Sequence, residues 1–383
     1  MQIDILIVED DERLRQNMIE LINDWAIGDY VIRVNGLSDF TEAEKWLSNN
    51  SCDLVVLDLF KNTEPVDEQA GLGVLQKIKT IGFVPVVFFT GYAYKIQDLK
   101  SQVVSVVSKN DGIESLKDEI ERVVNSRLAL LVKLLVNHVR TQMRAYFWDI
   151  VNERKADWPD SDKGLSLSYL ATRRLASSLS KTDIKAILDD DQIDPTKVHP
   201  MEFYIYPPEE SDHVQGEIIK RKADGALFAI LTPTCDMVRR GDSDPKTDFV
   251  VLLRVVPFES HPTFVKKIED LKVLLAKEEK SNTELSTQRN IVDYLERVIA
   301  NRQNARFFFL PGTQFLENSV VDLEDKLAIG FDELDTDFDR IAQLDDPFAQ
   351  SLTTQTANYF LRIGFPDLDA SFVLANMGLS SAA

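Results

Sequence analysis

Cysteine is nearly absent from this 383-residue chain: Cys52 and Cys235 are the full complement. Two thiols cannot staple a secreted fold of this length, so a reducing, cytoplasmic setting is expected. Histidine is also scarce, with four residues and no HxxxH or CxxC spacing, which argues against a transition-metal centre. The 15 glycines form no phosphate-cradling loop, which excludes a nucleoside-triphosphatase motif. No run of 18 or more apolar residues occurs, so no membrane-spanning helix is expected. Acids interrupt the first apolar run, Met1–Asp10, and a secretory signal does not tolerate them. Positive charge is in deficit as well. The 43 Lys and Arg stand against 63 Asp and Glu, leaving a net charge of −20. That balance repels phosphate backbones and anionic lipid surfaces, so neither nucleic acid nor membrane is an expected partner.

What is present is a globular composition, 44% apolar and 28% charged, with length enough for two or three domains. In the first 125 residues, short apolar runs at Ile3–Val8, Tyr30–Val34, Asp53–Leu57, Pro85–Phe89 and Val103–Val107 read as strands. Amphipathic stretches at Leu14–Ile22, Ala43–Leu47 and Leu72–Ile78 alternate with them as helices. This alternation predicts an α/β fold, a doubly wound five-stranded parallel sheet with helices on both faces.

Beyond Ile113, apolar residues recur every three or four positions as far as Ile150. No Gly or Pro falls between Gly112 and Pro159. Two readings remain open: one stalk of about 65 Å serving as a homodimer seam over 113–156, or two helices with an unmarked bend near Arg127. Residues 126–195 are thus expected as a helical connector, helical again over 165–190. Residues 196–383 are expected as a mixed β/α module. Its strands fall near Phe203–Tyr206, Glu217–Lys220, Ala226–Leu231, Phe249–Val256, Arg306–Leu310 and Val320–Ile329. Helices are expected over Ile268–Leu275, Ile291–Ile299, behind a Ser281-x-x-Glu284 capping box, and Gln350–Leu361.

Chemistry concentrates at the C-terminal ends of the predicted N-terminal strands: Glu9-Asp10-Asp11, Asp58, Thr90 and Lys109. That edge of an open parallel sheet is where ligands bind. Converging carboxylates repel and need a cation, and ligation by oxygen alone suits Mg²⁺. An Asp58 oxygen left free could then attack phosphorus. Lys109 would balance the product's charge and the Thr90 hydroxyl would hydrogen-bond its oxygens.

These residues carry a resemblance. ILIVEDDERLR, LVVLDLF, VVFFTG and VVSK resemble the receiver domain of bacterial two-component response regulators, over residues 1–125. The resemblance implies that Asp58 accepts a phosphoryl group from a sensor histidine kinase. It implies a Mg²⁺ site of Glu9, Asp10, Asp58 and the Phe60 carbonyl, with Thr90 and Lys109 as the family's hydroxyl and lysine. The departures are specific. Val106 stands where the family usually has an aromatic, and Asn110 where it has proline. An insertion, residues 62–68, follows Asp58, and the short Thr90–Lys109 spacing predicts a reduced fourth helix.

Three kinds of output are open to the rest of the chain. A DNA-binding output is disfavoured: residues 127–185 hold eleven basic against six acidic residues but no recognition-helix pattern, and beyond residue 130 the count is 30 basic against 41 acidic. For an enzyme, Thr232-Pro233-Thr234-Cys235-Asp236 offers a thiol on a turn, but no motif places His199, His213 or His261 beside it, and a packed cysteine is the expectation. The acidic run Asp332–Asp346 reads as a solvated face rather than a calcium loop. A module for contacting a downstream effector protein is therefore expected. AILTPTCDM, RFFFLPG and the closing Gly364-Phe365-Pro366-Asp367 resemble an uncharacterised β-rich bacterial module. A regulator without DNA-binding or catalytic output is similar in architecture to that of Detocs-type antiviral defence systems, which implies a phosphate sink.

Overall fold

The computed structural model describes residues 1–64, 66–153, 164–179, 194, 196–209, 212–239, 245–302, 306–361, 369–377 and 379. It divides into two compact units, Met1–Pro195 and Thr196–Ala383.

In the first unit, strands β1 (Gln2–Val8), β2 (Ala26–Ile27), β3 (Tyr30–Leu37), β4 (Leu54–Leu57), β5 (Val86–Thr90) and β6 (Val104–Ser108) form one sheet in the order β2-β3-β1-β4-β5-β6. The five long strands run parallel; the two-residue β2 adds an antiparallel edge that the sequence did not announce. Helices α1 (Glu12–Ile22), α2 (Phe40–Asn49), α3 (Ala70–Ile81) and α4 (Gly112–Asn125) cover it. Side chains alternate across a strand, so each apolar strand serves both faces. Leu6, Val8, Val55, Leu57, Val86 and Phe88 pack under α2 and α3. Ile3, Ile5, Ile7, Leu54, Val56, Val87 and Phe89 pack under α1 and α4. Between β5 and β6 only two 3-10 turns occur, Ala93–Lys95 and Gln97–Leu99, in line with the short spacing.

The long apolar repeat is not one helix. It breaks at Arg127, whose φ of 65° is left-handed, and resumes as α5 (Leu128–Arg144), continued by π-helix over Ala145–Val151. A straight stalk over 113–156 is thereby corrected in favour of the bend. Ala129 and Leu130 are buried in the same cluster as α4, so the start of α5 turns back onto the sheet. Lys133 then pairs with Asp53 at 2.7 Å and Asp4 at 3.2 Å, fixing α5 at the N-terminal edge of the strands. Helix α6 spans Leu165–Ser177; the expected continuation over 180–190 lies outside the described residues.

In the second unit, β7 (Tyr204–Ile205), β8 (Glu217–Arg221), β9 (Leu227–Ile230), β10 (Phe249–Pro257), β11 (Phe307–Leu310), β12 (Ser319–Gly330) and β13 (Phe338–Leu344) form an antiparallel sheet ordered β11-β12-β10-β9-β8-β13-β7. Its helices are α7 (Thr234–Met237), α8 (Pro262–Leu275), α9 (Asn282–Ile299), α10 (Glu333–Asp337), α11 (Phe348–Phe360) and α12 (Ala370–Asn376). Ala349, Leu352 and Tyr359 of α11 cover one sheet face. Phe264 and Ile268 of α8, with Leu295 and Val298 of α9, cover part of the other. The Ser281–Glu284 capping box starts α9 as its residues predict. The acidic run is not merely a solvated face: it builds α10 and β13, the latter burying Phe338, Ala342 and Leu344. The Gly364–Asp367 motif lies outside the described residues. Among those residues no helix is long and apolar enough to cross a membrane.

Leu130 is fully buried. Leu130→Ala should lower unfolding stability by about 2–5 kcal/mol, the usual cost of truncating a core leucine, measured as a shift of the denaturant midpoint. A helix projecting free of the sheet would lose under roughly 0.5 kcal/mol.

Candidate functional site

The parallel register brings strand ends together. Val8 pairs with Leu57 across β1 and β4, and Thr90 with Ser108 across β5 and β6. The next residues on three of these strands, Glu9, Asp58 and Lys109, therefore emerge side by side where the chain crosses between sheet halves. Glu9, Asp10, Asp58 and Thr90 are all buried. Lys109 Nζ lies 2.6 Å from Asp58 Oδ2 and 2.7 Å from Glu9 Oε2. Asp58 Oδ1 accepts from Leu59 N–H at 2.6 Å.

Asp10 is held by the insertion. Its Oδ2 accepts from Asn62 N–H at 2.6 Å and Thr63 N–H at 2.8 Å. Lys61 and Asp67 exchange two backbone hydrogen bonds, closing the insertion into a small loop. Asp11 leaves the cluster and caps α1, accepting from Leu14 N–H. Thr90 Oγ1 accepts from Tyr92 N–H at 3.3 Å. Phe60 follows Asp58 by two residues with its ring buried.

The electrostatics are unbalanced. Burial pushes the Glu9 carboxyl up to about 7, Asp58 adds to that, and Lys109 opposes it. Burial works to lower the Lys109 ammonium, but Asp58 and Glu9 outweigh burial and hold it above the ordinary lysine range. One lysine thus faces three carboxylates whose ligand oxygens lie within 4.8 Å of one another. Among the described residues no hydrogen-bond donor reaches the buried Asp10 Oδ1. A hard divalent cation fits this donor set: oxygen atoms alone, excess negative charge and one buried oxygen left over.

Two contributors were not singled out in the sequence. Gly71, in the first turn of α3, sits so close to the Asp58 loop that a Cβ there would lie 2.2 Å from the Asp58 carbonyl oxygen; a glycine inside an apolar helix was the available signal. Arg15 is buried on α1 and its Nη1 donates to the Glu9 carbonyl at 2.6 Å; a cation on the helix's apolar side was the clue.

Among the described residues of the second unit no comparable set of carboxylates is gathered. Cys235 is exposed, not packed, with Sγ 3.6 Å from Asp236 Oδ1. On the single turn α7 it is Met237 that faces the core. His199 caps the turn Pro200–Phe203, His213 bonds Glu217 and Asp335, and His261 caps α8. Each histidine there has structural work.

Comparisons agree with the geometry. Residues 5–121 match the family model of the response regulator receiver domain. The chain is similar to the Francisella response regulator 1452 receiver domain (20% identity over 32% of this chain and 98% of that one, TM-score 0.27). It is similar to the response regulator protein TrrA from Thermotoga maritima, solved in complex with Mg(2+)-BeF (25%, 32% and 99%, TM-score 0.26). A DNA-binding response regulator of the LuxR family from Staphylococcus aureus is a further likeness (27%, 32% and 98%, TM-score 0.25). No curated protein matches the chain. Residues 5–121 are a two-component receiver domain, a class that binds Mg²⁺ at an acidic pocket and interacts with histidine kinases.

Because the Asp58 loop crosses Gly71 without room for a methyl group, Gly71→Ala should cost about 1–3 kcal/mol as an overpacking substitution. Thermal and denaturant unfolding measure it, and an unchanged midpoint would show that the loop yields freely.

Proposed function

We propose that this chain is a response regulator that accepts a phosphoryl group on Asp58 from a histidine kinase, with Mg²⁺ held by Glu9, Asp10, Asp58 and the Phe60 carbonyl. The observation that carries this reading is the buried Asp58 carboxylate, paired with Lys109 and flanked by two further acids. In the transfer, an Asp58 oxygen bonds to phosphorus and the phosphohistidine P–N bond breaks, giving an acyl phosphate. A bound divalent cation supplies positive charge to the phosphoryl oxygens. Lys109 holds its ammonium against the acyl phosphate, a partner that stays fixed because Glu9 also binds it. Thr90, buried at the end of β5, offers its hydroxyl to a phosphoryl oxygen. Leu59 N–H, already directed at Asp58 Oδ1, orients the nucleophile.

For the output we propose protein contact, and specifically a drain for phosphoryl groups. Two features support it. Val106 stands half-buried where an aromatic relay is usual, and two 3-10 turns replace the helix between β5 and β6. The acid excess of the chain disfavours a nucleic-acid target.

Incubated with a labelled phosphodonor, the wild-type chain should take up label and Asp58→Asn none. Chelation of divalent cations should stop uptake. Undiminished labelling of Asp58→Asn would refute the site. Mg²⁺ at a hundredfold excess over its Kd should stabilise the wild type by about 2.7 kcal/mol and have little effect on Asp10→Ala, as read by thermal unfolding.

A further inference from the structure

In the second unit, His213 is buried with a carboxylate on each of its ring nitrogens. Nδ1 lies 3.0 Å from Glu217 Oε2, and Nε2 lies 3.1 Å from Asp335 Oδ1. A neutral imidazole carries one N–H and one bare lone pair, while a carboxylate only accepts. Both contacts therefore form together only when the ring is protonated. Three charged groups face it, each from a different element. Glu217, at the start of β8, is fully buried and also binds the Arg340 guanidinium of β13. Asp335 belongs to α10, and its side chain is 66% exposed. What α10 covers is an apolar cluster that includes Phe228, Ile230, Val250, Leu252 and Phe338. Among the described residues the only helical members of that cluster are Met237 of α7 and Leu334 of α10. These helices are four and five residues long. Gln215 N–H donates to Thr234 Oγ1 at 3.0 Å, so the segment from His213 to Glu217 fastens both.

We propose that His213 is a pH-operated latch on α10: protonated, it clamps the helix over this sheet face, and neutral, it releases the helix and loosens the cover. Glu217 is buried and already balanced by Arg340, so it keeps the remaining N–H of the neutral ring. The lost proton goes to solvent from Nε2, and the bare nitrogen then faces the Asp335 carboxylate. Asp335 is free to turn outward because its side chain is largely in water. Lys222 Nζ still donates to the Asp335 and Thr336 carbonyls at 3.4 and 2.8 Å, so α10 loosens without detaching. Burial works against the charge on His213, but Glu217 and then Asp335 outweigh it, with Arg340 opposing them. The ring is thereby held above the ordinary histidine range. The clamp is therefore complete below the ordinary value of about 6.5 and is lost as pH rises through the raised one. The latch acts on the second unit and is independent of phosphorylation at Asp58.

Amide hydrogen exchange of the full chain, read by mass spectrometry, tests the latch. Protection of α10 is taken relative to β10 in the same molecule, which cancels the intrinsic effect of pH on exchange. Between about pH 6 and about pH 9, on either side of the ordinary histidine value, the wild type should lose about tenfold in relative protection, the factor for one hydrogen bond to a charged group. An amide in place of the Asp335 carboxylate accepts from an N–H and also donates to a bare nitrogen. Asp335→Asn should therefore stay protected to within about twofold over the same range, a result that a merely structural contact would not give. Its exposed position makes the substitution safe for folding. His213→Gln should show no pH dependence in α10. Equal relative protection at the two pH values in the wild type would overturn the latch, as would a full tenfold loss that persists in Asp335→Asn.

Discussion

The first unit depends on a charge imbalance buried at one rim of a parallel sheet. Lys109 bridges Glu9 and Asp58 at 2.7 and 2.6 Å, and Asp10 joins them with one oxygen that no donor among the described residues reaches. Carboxylates are taken out of water only where charge or hydrogen bonds compensate. Here the compensation is partial, and the shortfall is visible in Glu9, which burial raises to about 7. A rim designed only for stability would not hold three acids around one lysine. The strands supply the positions: a register that sets Val8 beside Leu57 leaves their successors no choice but to converge.

The insertion 62–68 changes how that rim is held. Two of its amides fix one oxygen of Asp10, and among the described residues no donor reaches the other, which is buried. Lys61, at its start, pairs with Asp39 at the cap of α2. Gly71 then lets α3 begin in contact with the Asp58 backbone. The insertion's described side chains are exposed, yet two of its amides reach inward and hold the Asp10 carboxylate.

How much of this the sequence disclosed follows from the range of the interactions. The strand ends were legible because short apolar runs and the acids after them are local features, and the parallel order places their ends together. The bend at Arg127 was legible only as one of two open readings, since nothing in its neighbourhood demands a left-handed residue. Its guanidinium reaches Tyr30, 97 residues earlier, bonding the hydroxyl and lying 5.8 Å from the ring centroid. Strand β13 was hidden because a register shift between Arg340 and Ala342 breaks the alternation, inside a segment whose acids suggested a solvated face. Cys235 was expected to pack because its surroundings are apolar. On a single helical turn, however, the buried position belongs to Met237, two residues on and so on the opposite side.

The attachment of α5 bears on whether phosphorylation leads anywhere within this unit. Asp53 N–H donates to the Asp4 carbonyl, Asp4 N–H donates to Asp53 Oδ2, and Lys133 binds both carboxylates. These groups sit at the starts of β1 and β4, the opposite edge of the sheet from Asp58. Coupling across that distance needs an element with two discrete arrangements that both ends bias. The stretch between β5 and β6, where Thr90 could transmit a pull, holds two short 3-10 turns, and the neighbouring strand carries Val106, too small to sweep between two rotameric positions as a large ring would. The strands between rim and connector are packed on both faces, a medium that resists small displacements rather than amplifying them. On the function proposed above, in which Asp58 takes a phosphoryl group, a connector anchored at the far edge is one more reason to favour accepting phosphate over broadcasting it.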